Sequence, residues 1–124
     1  MLSSVGQIAI NVHDLARAVA FYRGTLGLPH LFSAENMAFF DCGGVRLMLA
    51  LAEKPELDHP ASIVYYRVED IGAVHKMLVT RGVKFDLVPF RVAQMPAHDL
   101  WMAFFRDSEN NPLALMSEVP RAAA

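Results

Sequence analysis

Met37-Ala38-Phe39-Phe40 recurs letter for letter as Met102-Ala103-Phe104-Phe105, and each copy runs into an Asp, a turn and a short apolar stretch. After the first copy come Asp41-Cys42-Gly43-Gly44 and Val45 to Ala50; after the second, Asp107-Ser108-Glu109-Asn110-Asn111 and Leu113 to Met116. Upstream, Ile8-Ala9-Ile10-Asn11-Val12-His13-Asp14-Leu15 aligns with Val64-Tyr65-Tyr66-Arg67-Val68-Glu69-Asp70-Ile71, an apolar run closed by Val-x-Asp-aliphatic. A repeat of this length fixes the architecture before any single residue is interpreted. The two offsets differ, so the copies differ by loop insertions.

Each Asp opens a helical pattern. Leu15, Ala18, Val19, Tyr22 and Leu26 keep a 3.6-residue period as far as Gly27, and Ile71, Val74 and Leu78 do so as far as Gly82. Asp14 and Asp70 are natural N-caps, Gly27 and Gly82 natural C-caps. The rest reads as strands at about 31–33, 37–41, 45–51, 85–90, 100–106 and 112–118, punctuated by Gly, Pro, Asn and Asp. The unit is β-α-β-β-β, twice. Module one covers about residues 5–51, a linker with Pro55 and Pro60 covers 52–60, and module two covers about 61–118, within one domain of residues 1–120. Residues 121–124 form a tail that reads as an expression remnant.

Composition narrows the possible functions. The chain has 124 residues, 54% of them hydrophobic and 19% charged, with mean hydropathy +0.28. That is one core-rich domain rather than a disordered chain. Eleven basic against thirteen acidic residues, with no basic run, argue against a nucleic-acid partner. The longest stretch free of Asp, Glu, Lys and Arg, Met1 to His13, is too short and too polar to span a membrane and lacks a basic n-region. A single cysteine, Cys42, is compatible with a reducing cytoplasm, where we expect the protein to reside.

Two βαβββ modules with Val-x-Asp-Leu closing the first strand and Asp-x-x-x-Asn before the last resemble the vicinal oxygen chelate superfamily. That grouping holds glyoxalase I, extradiol dioxygenases, methylmalonyl-CoA epimerase, fosfomycin-resistance enzymes and bleomycin-resistance proteins. The resemblance covers about residues 5–118. It implies an α+β fold in which two modules form curved mixed sheets around a cavity, and commonly a homodimer. The fold hosts several chemistries and some pure binders, so function rests on the site.

In metal-dependent members the resemblance places ligands at the start of the first strand and in the last strand of each module, usually His or Gln first and Glu last. Such a site needs three or four N or O donors at about 2.0–2.4 Å from the ion. Carried onto this sequence, those positions are Gln7, Met48, Ile63 and Ala114. Three of the four are apolar, and a lone amide will not hold a divalent cation, so no metal ligand set and no cofactor is expected. The alternative is one divalent metal involving Gln7. Glu118 shares a face with Ala114 but lies roughly 13 Å further along the strand. The five histidines are scattered over cap, strand start, linker, helix and loop, each expected to be solvated or singly hydrogen bonded.

Strand alternation then defines a wall. With Gln7 facing inward, Asn11 shares its face; Arg46 goes with Met48, Tyr65 and Arg67 with Ile63, and Met116 and Glu118 with Ala114. This mostly apolar lining suits a small, partly apolar organic molecule oriented by polar heads. Arg67 and Glu118 either serve the site or pair with each other at its rim. Trp101 and the repeated Phe pairs read as core. Glu118 is the candidate general base of a metal-free enzyme, with Arg67 or Tyr65 stabilising an oxyanion. Cys42 has no basic neighbour to activate it. The expected function is metal-free sequestration of a small molecule, as in the bleomycin-resistance branch; the alternative is a glyoxalase-like lyase, isomerase or dioxygenase. A charge of −2 is mild for binding bleomycin, which is large and cationic.

Overall fold

A computed structural model describes residues 1–121. Strands β1 (Gln7–Asn11), β2 (His30–Ala34), β3 (Met37–Cys42) and β4 (Val45–Ala50) form one four-stranded sheet in the order β1-β4-β3-β2. β1 runs parallel to β4 and the others antiparallel, so the sheet is mixed. Strands β5 (Val64–Arg67), β6 (Phe85–Gln94), β7 (His98–Arg106) and β8 (Pro112–Pro120) repeat the pattern as β5-β8-β7-β6, with β5 parallel to β8. Each first strand leads into a helix, α1 (Leu15–Ala20) and α2 (Ile71–Thr80).

The caps form as the residue types dictate. Asp14 accepts from the Arg17 N–H and Asp70 from the Ala73 N–H, both at 3.0 Å. Gly27 and Gly82 take φ of 74° and 93°, which end the helices without a Cβ penalty. Gly43 (φ 61°) and Gly44 (φ 89°) turn the β3–β4 hairpin, matching the strands' right-handed twist.

Several elements depart from expectation. The first helix does not run regularly to Gly27: Phe21–Thr25 is a π-turn, in which the Leu26 N–H donates to the Phe21 carbonyl at 2.9 Å. Strand β6 continues to Gln94 with three register shifts, because an edge strand tolerates Pro89, which has no N–H to give the ladder. The tail is structured at its start: Arg121 donates to Asp99 Oδ1 at 3.1 Å and to the carbonyls of Met95 and Pro96. The remainder of the expected tail, 122–124, lies outside the described residues.

The chain forms two compact units. Unit 1 comprises residues 1–62 with 107–111; unit 2 comprises 63–106 with 112 onward. In unit 1, α1 packs on β3 and β4, burying Ile10, Ala18, Tyr22, Ala38, Phe40, Leu47 and Leu49. In unit 2, α2 packs on β6, β7 and β8 over a core containing Leu78, Ala103, Phe105, Leu113 and Leu115. The repeated aromatic pair is thus used alike, with Phe40 and Phe105 in the two cores.

The turn 107–111 completes unit 1 through charged hydrogen bonds. The Glu109 carboxylate accepts the His13 and Asp14 N–H groups at 3.0 and 2.9 Å and Arg17 Nε at 2.7 Å. Arg17 above all, then those two N–H groups and the Ser108 hydroxyl, hold its pKa down at about 2, against the opposing effect of burial. Buried Asp107 accepts the Tyr22 hydroxyl at 2.7 Å and the Asn111 N–H at 2.8 Å, while Asn111 Nδ2 donates to the Asn11 carbonyl at 3.1 Å. These bonds fix the end of β1, which carries Asn11.

Candidate functional site

Alternation sorts the residues of unit 1 cleanly. Ile10 and Val12 are buried on the core side, so by alternation Gln7, Ala9 and Asn11 occupy the opposite, open face of the sheet. The parallel register sets Gln7 beside Arg46 and Ala9 beside Met48. Antiparallel pairing adds Phe39 beside Met48 and Met37 beside Ala50. Of the residues predicted from sequence, Gln7, Arg46 and Met48 come into direct contact. Gln7 Oε1 accepts from Arg46 Nε at 2.8 Å, and Gln7 Nε2 donates to the Met48 sulfur at 3.7 Å. The Arg46 guanidinium lies 5.2 Å from the centroid of the Phe39 ring, which stacks on Phe32 at 4.5 Å.

Toward the other end of this face a cleft of about 350 Å³ is lined by Ala9, Asn11, Met37, Met48 and Ala50 from the strands and by Leu57 and His59 from the linker. Asn11 Nδ2 holds the linker, donating to the carbonyls of Leu57 at 2.6 Å and His59 at 2.9 Å. His13 Nε2 adds a 2.8 Å contact to Asp58. Both amide hydrogens of Asn11 are thereby committed, so it shapes the cleft rather than offering a free donor. The linker contributions, Leu57 and His59, could not be read from strand alternation because they come from an irregular segment with a single 3₁₀ turn, Pro55–Leu57.

In unit 2 the face opposite α2 carries Tyr65 and Arg67 beside Ala114 and Met116, with Leu100 beside Glu118. Arg67 Nη2 donates to Glu118 Oε1 at 3.0 Å, so the two pair with each other, as one of the readings above expected. His98 Nε2 lies 3.9 Å from Glu118 Oε2, because β7 begins at His98 rather than at Leu100. Tyr65 packs edge-on to Phe104 at 6.1 Å, and Ala114, between them in register, is fully buried. Ile63 precedes β5 and is exposed.

The superfamily's divalent metal can be tested against these donors. Gln7 offers one amide oxygen, and that oxygen already accepts from a cationic guanidinium. Its neighbour Met48, together with Ile63 and Ala114, supplies no N or O side-chain donor. Among the described residues no group of three His, Cys, Asp or Glu side chains is gathered. The residues at these positions do not fit the ion: a cation placed at Gln7 would meet the Arg46 guanidinium at close range. Burial and then the Asp41 charge push the Cys42 thiol pKa up, which disfavours its thiolate.

No helix among the described residues is long and apolar enough to cross a membrane. Protein YraH of Bacillus subtilis is 29% identical over 119 residues, which is 85% of this chain and 91% of YraH. Metallothiol transferase FosB of Staphylococcus haemolyticus is 32% identical over 72 residues, 58% of this chain but only 49% of FosB, so that match spans about half of the relative. The crystal structure of lactoylglutathione lyase from Agrobacterium tumefaciens superposes with a TM-score of 0.74 over 94% of each chain at 21% identity, a likeness of fold. Residues 4–115 match the family model described as Glyoxalase/Bleomycin resistance protein/Dioxygenase superfamily. The tandem βαβββ sheets and this match agree: the chain belongs to the glyoxalase/bleomycin resistance protein/dioxygenase superfamily.

Proposed function

We propose that the protein binds and sequesters a small, partly apolar organic molecule without a divalent metal, in the manner of the superfamily's bleomycin-resistance branch. One observation carries the reading. The single N or O donor among the four expected ligand positions, Gln7, directs its oxygen to Arg46 and one of its two amide hydrogens to Met48, beside an apolar cleft. Such a surface can hold a ligand by packing and orient it by a few polar groups. Bleomycin is not the ligand we favour, because the chain's charge is only −2. The proposal includes a cytoplasmic location and a homodimer, the latter measurable by light scattering.

A second reading has its own support. Glu118 sits between Arg67 and His98, an arrangement suited to metal-free acid–base chemistry, and the FosB likeness brings a transferase into view. The two readings separate in one experiment. Protein dialysed against a chelator is screened by thermal shift against a metabolite library, and each stabilising compound is recovered and analysed by mass spectrometry. Sequestration predicts a shift of roughly 9 °C at a hundredfold excess over Kd, with the compound recovered unchanged. Stabilisation that appears only with added metal, or conversion of the compound, contradicts it.

A further inference from the structure

Resting on the reading that unit 1 binds a small organic molecule, we infer that Arg46 is an oxyanion clamp, and that the ligand is an amphiphile with a carboxylate or similar oxyanion head and an apolar body. The contrast with five of the seven other arginines points there. Arg17, Arg67, Arg91, Arg106 and Arg121 each face a carboxylate within 4.0 Å. Arg46 does not, among the described residues, although Asp41 is its partner in the β3–β4 register. The Asp41 carboxylate is turned to the hairpin, accepting the Gly44 N–H at 3.3 Å.

Arg46 is nevertheless held in place. Its Nε is fixed by the neutral Gln7 amide at 2.8 Å and its guanidinium plane by the Phe39 ring at 5.2 Å. This leaves the Nη groups, on an exposed residue, without an acceptor among the described residues. A guanidinium oriented through Nε and stacked on a ring keeps its charge and its fork geometry, which match a planar carboxylate or a tetrahedral oxyanion better than a neutral group. Two residues along β4 on the same face, roughly 7 Å away, Met48 begins the wall of the cleft. Glu53 also lines that cleft and repels an anion placed inside it, so the charge belongs at Arg46 and the apolar body over Met48.

The test uses the full chain and three probes of equal length, octanoate, octanol and octylammonium, in isothermal titration calorimetry at low salt. The clamp predicts octanoate binding about tenfold or more tighter than octanol, and octylammonium weakest. Arg46→Gln should lower octanoate to the level of octanol; Arg46→Lys should retain part of the advantage, and Gln7→Leu should lose part of it by freeing the guanidinium. Met48→Ala should weaken octanoate and octanol alike. Equal binding of octanoate and octanol by the wild-type protein overturns the clamp and leaves the apolar cleft standing. Unchanged octanoate affinity in Arg46→Gln also overturns it. Binding of none of the three overturns the clamp and the cleft reading together.

Discussion

Replacing Glu109 with Gln removes one charge and almost no volume, so its cost measures what the carboxylate does for unit 1. The side chain is 2% exposed and accepts two helix-start N–H groups and Arg17 Nε. Its pKa falls from 4.5 to about 2, which bounds its contribution at about 3 kcal/mol above pH 5. Arg17 is 57% exposed, so solvent screening brings the expected loss to about 2 kcal/mol, or roughly 7 °C in Tm for a chain of this size. The sign follows from linkage. A depressed carboxyl pKa stabilises the folded form fully above the unfolded value and progressively less as pH falls toward the folded one. The gap between wild type and Glu109→Gln, read by urea unfolding followed by far-UV circular dichroism, should be widest near pH 7 and shrink to about half or less at pH 3. Amide exchange at His13 and Asp14 should speed up in the variant. A gap below about 0.5 kcal/mol at pH 7, or one unchanged at pH 3, would refute the assignment of Glu109 as the charged clasp of α1.

Two further substitutions test the frame that carries the site. Tyr22→Phe deprives buried Asp107 of a hydrogen-bond donor at 2.7 Å and should cost about 1–3 kcal/mol in the same urea titration. Gly44→Ala meets open space but must adopt φ of 89°, so it should destabilise by about 1 kcal/mol, whereas Gly44→Asn, a residue that tolerates this region, should cost less; thermal unfolding ranks the pair.

Much of the fold was legible because its signals are local. Asp14, Asp70, Gly27, Gly82 and Gly43-Gly44 act within a few residues of themselves, and the duplicated Met-Ala-Phe-Phe repeats the core pattern. Alternation also sorted Gln7, Arg46 and Met48 onto one face, since a strand's side-chain period needs no tertiary information. What escaped the sequence depends on pairing between distant segments. Glu109 reads as an ordinary turn residue until it is seen against His13, Asp14 and Arg17. The hydrogen bonds of Asn11 Nδ2 to the linker carbonyls, and of Gln7 Oε1 to Arg46, are likewise set by segments distant in the chain or by side-chain rotamers that alternation does not specify. His98 entered the neighbourhood of Glu118 only because β7 starts two residues earlier than its apolar pattern suggests.

The central claim, that Gln7 is spent on Arg46 and no divalent ion is held, is tested most directly by metal content per protomer. Plasma mass spectrometry would be run on protein purified without a nickel column and then offered Mn, Fe, Ni and Zn in turn. The account predicts less than about a tenth of an equivalent of each after desalting, because one amide oxygen facing a guanidinium cannot retain an ion. A stoichiometric metal, lost in Gln7→Ala, would contradict it and put the enzyme reading first.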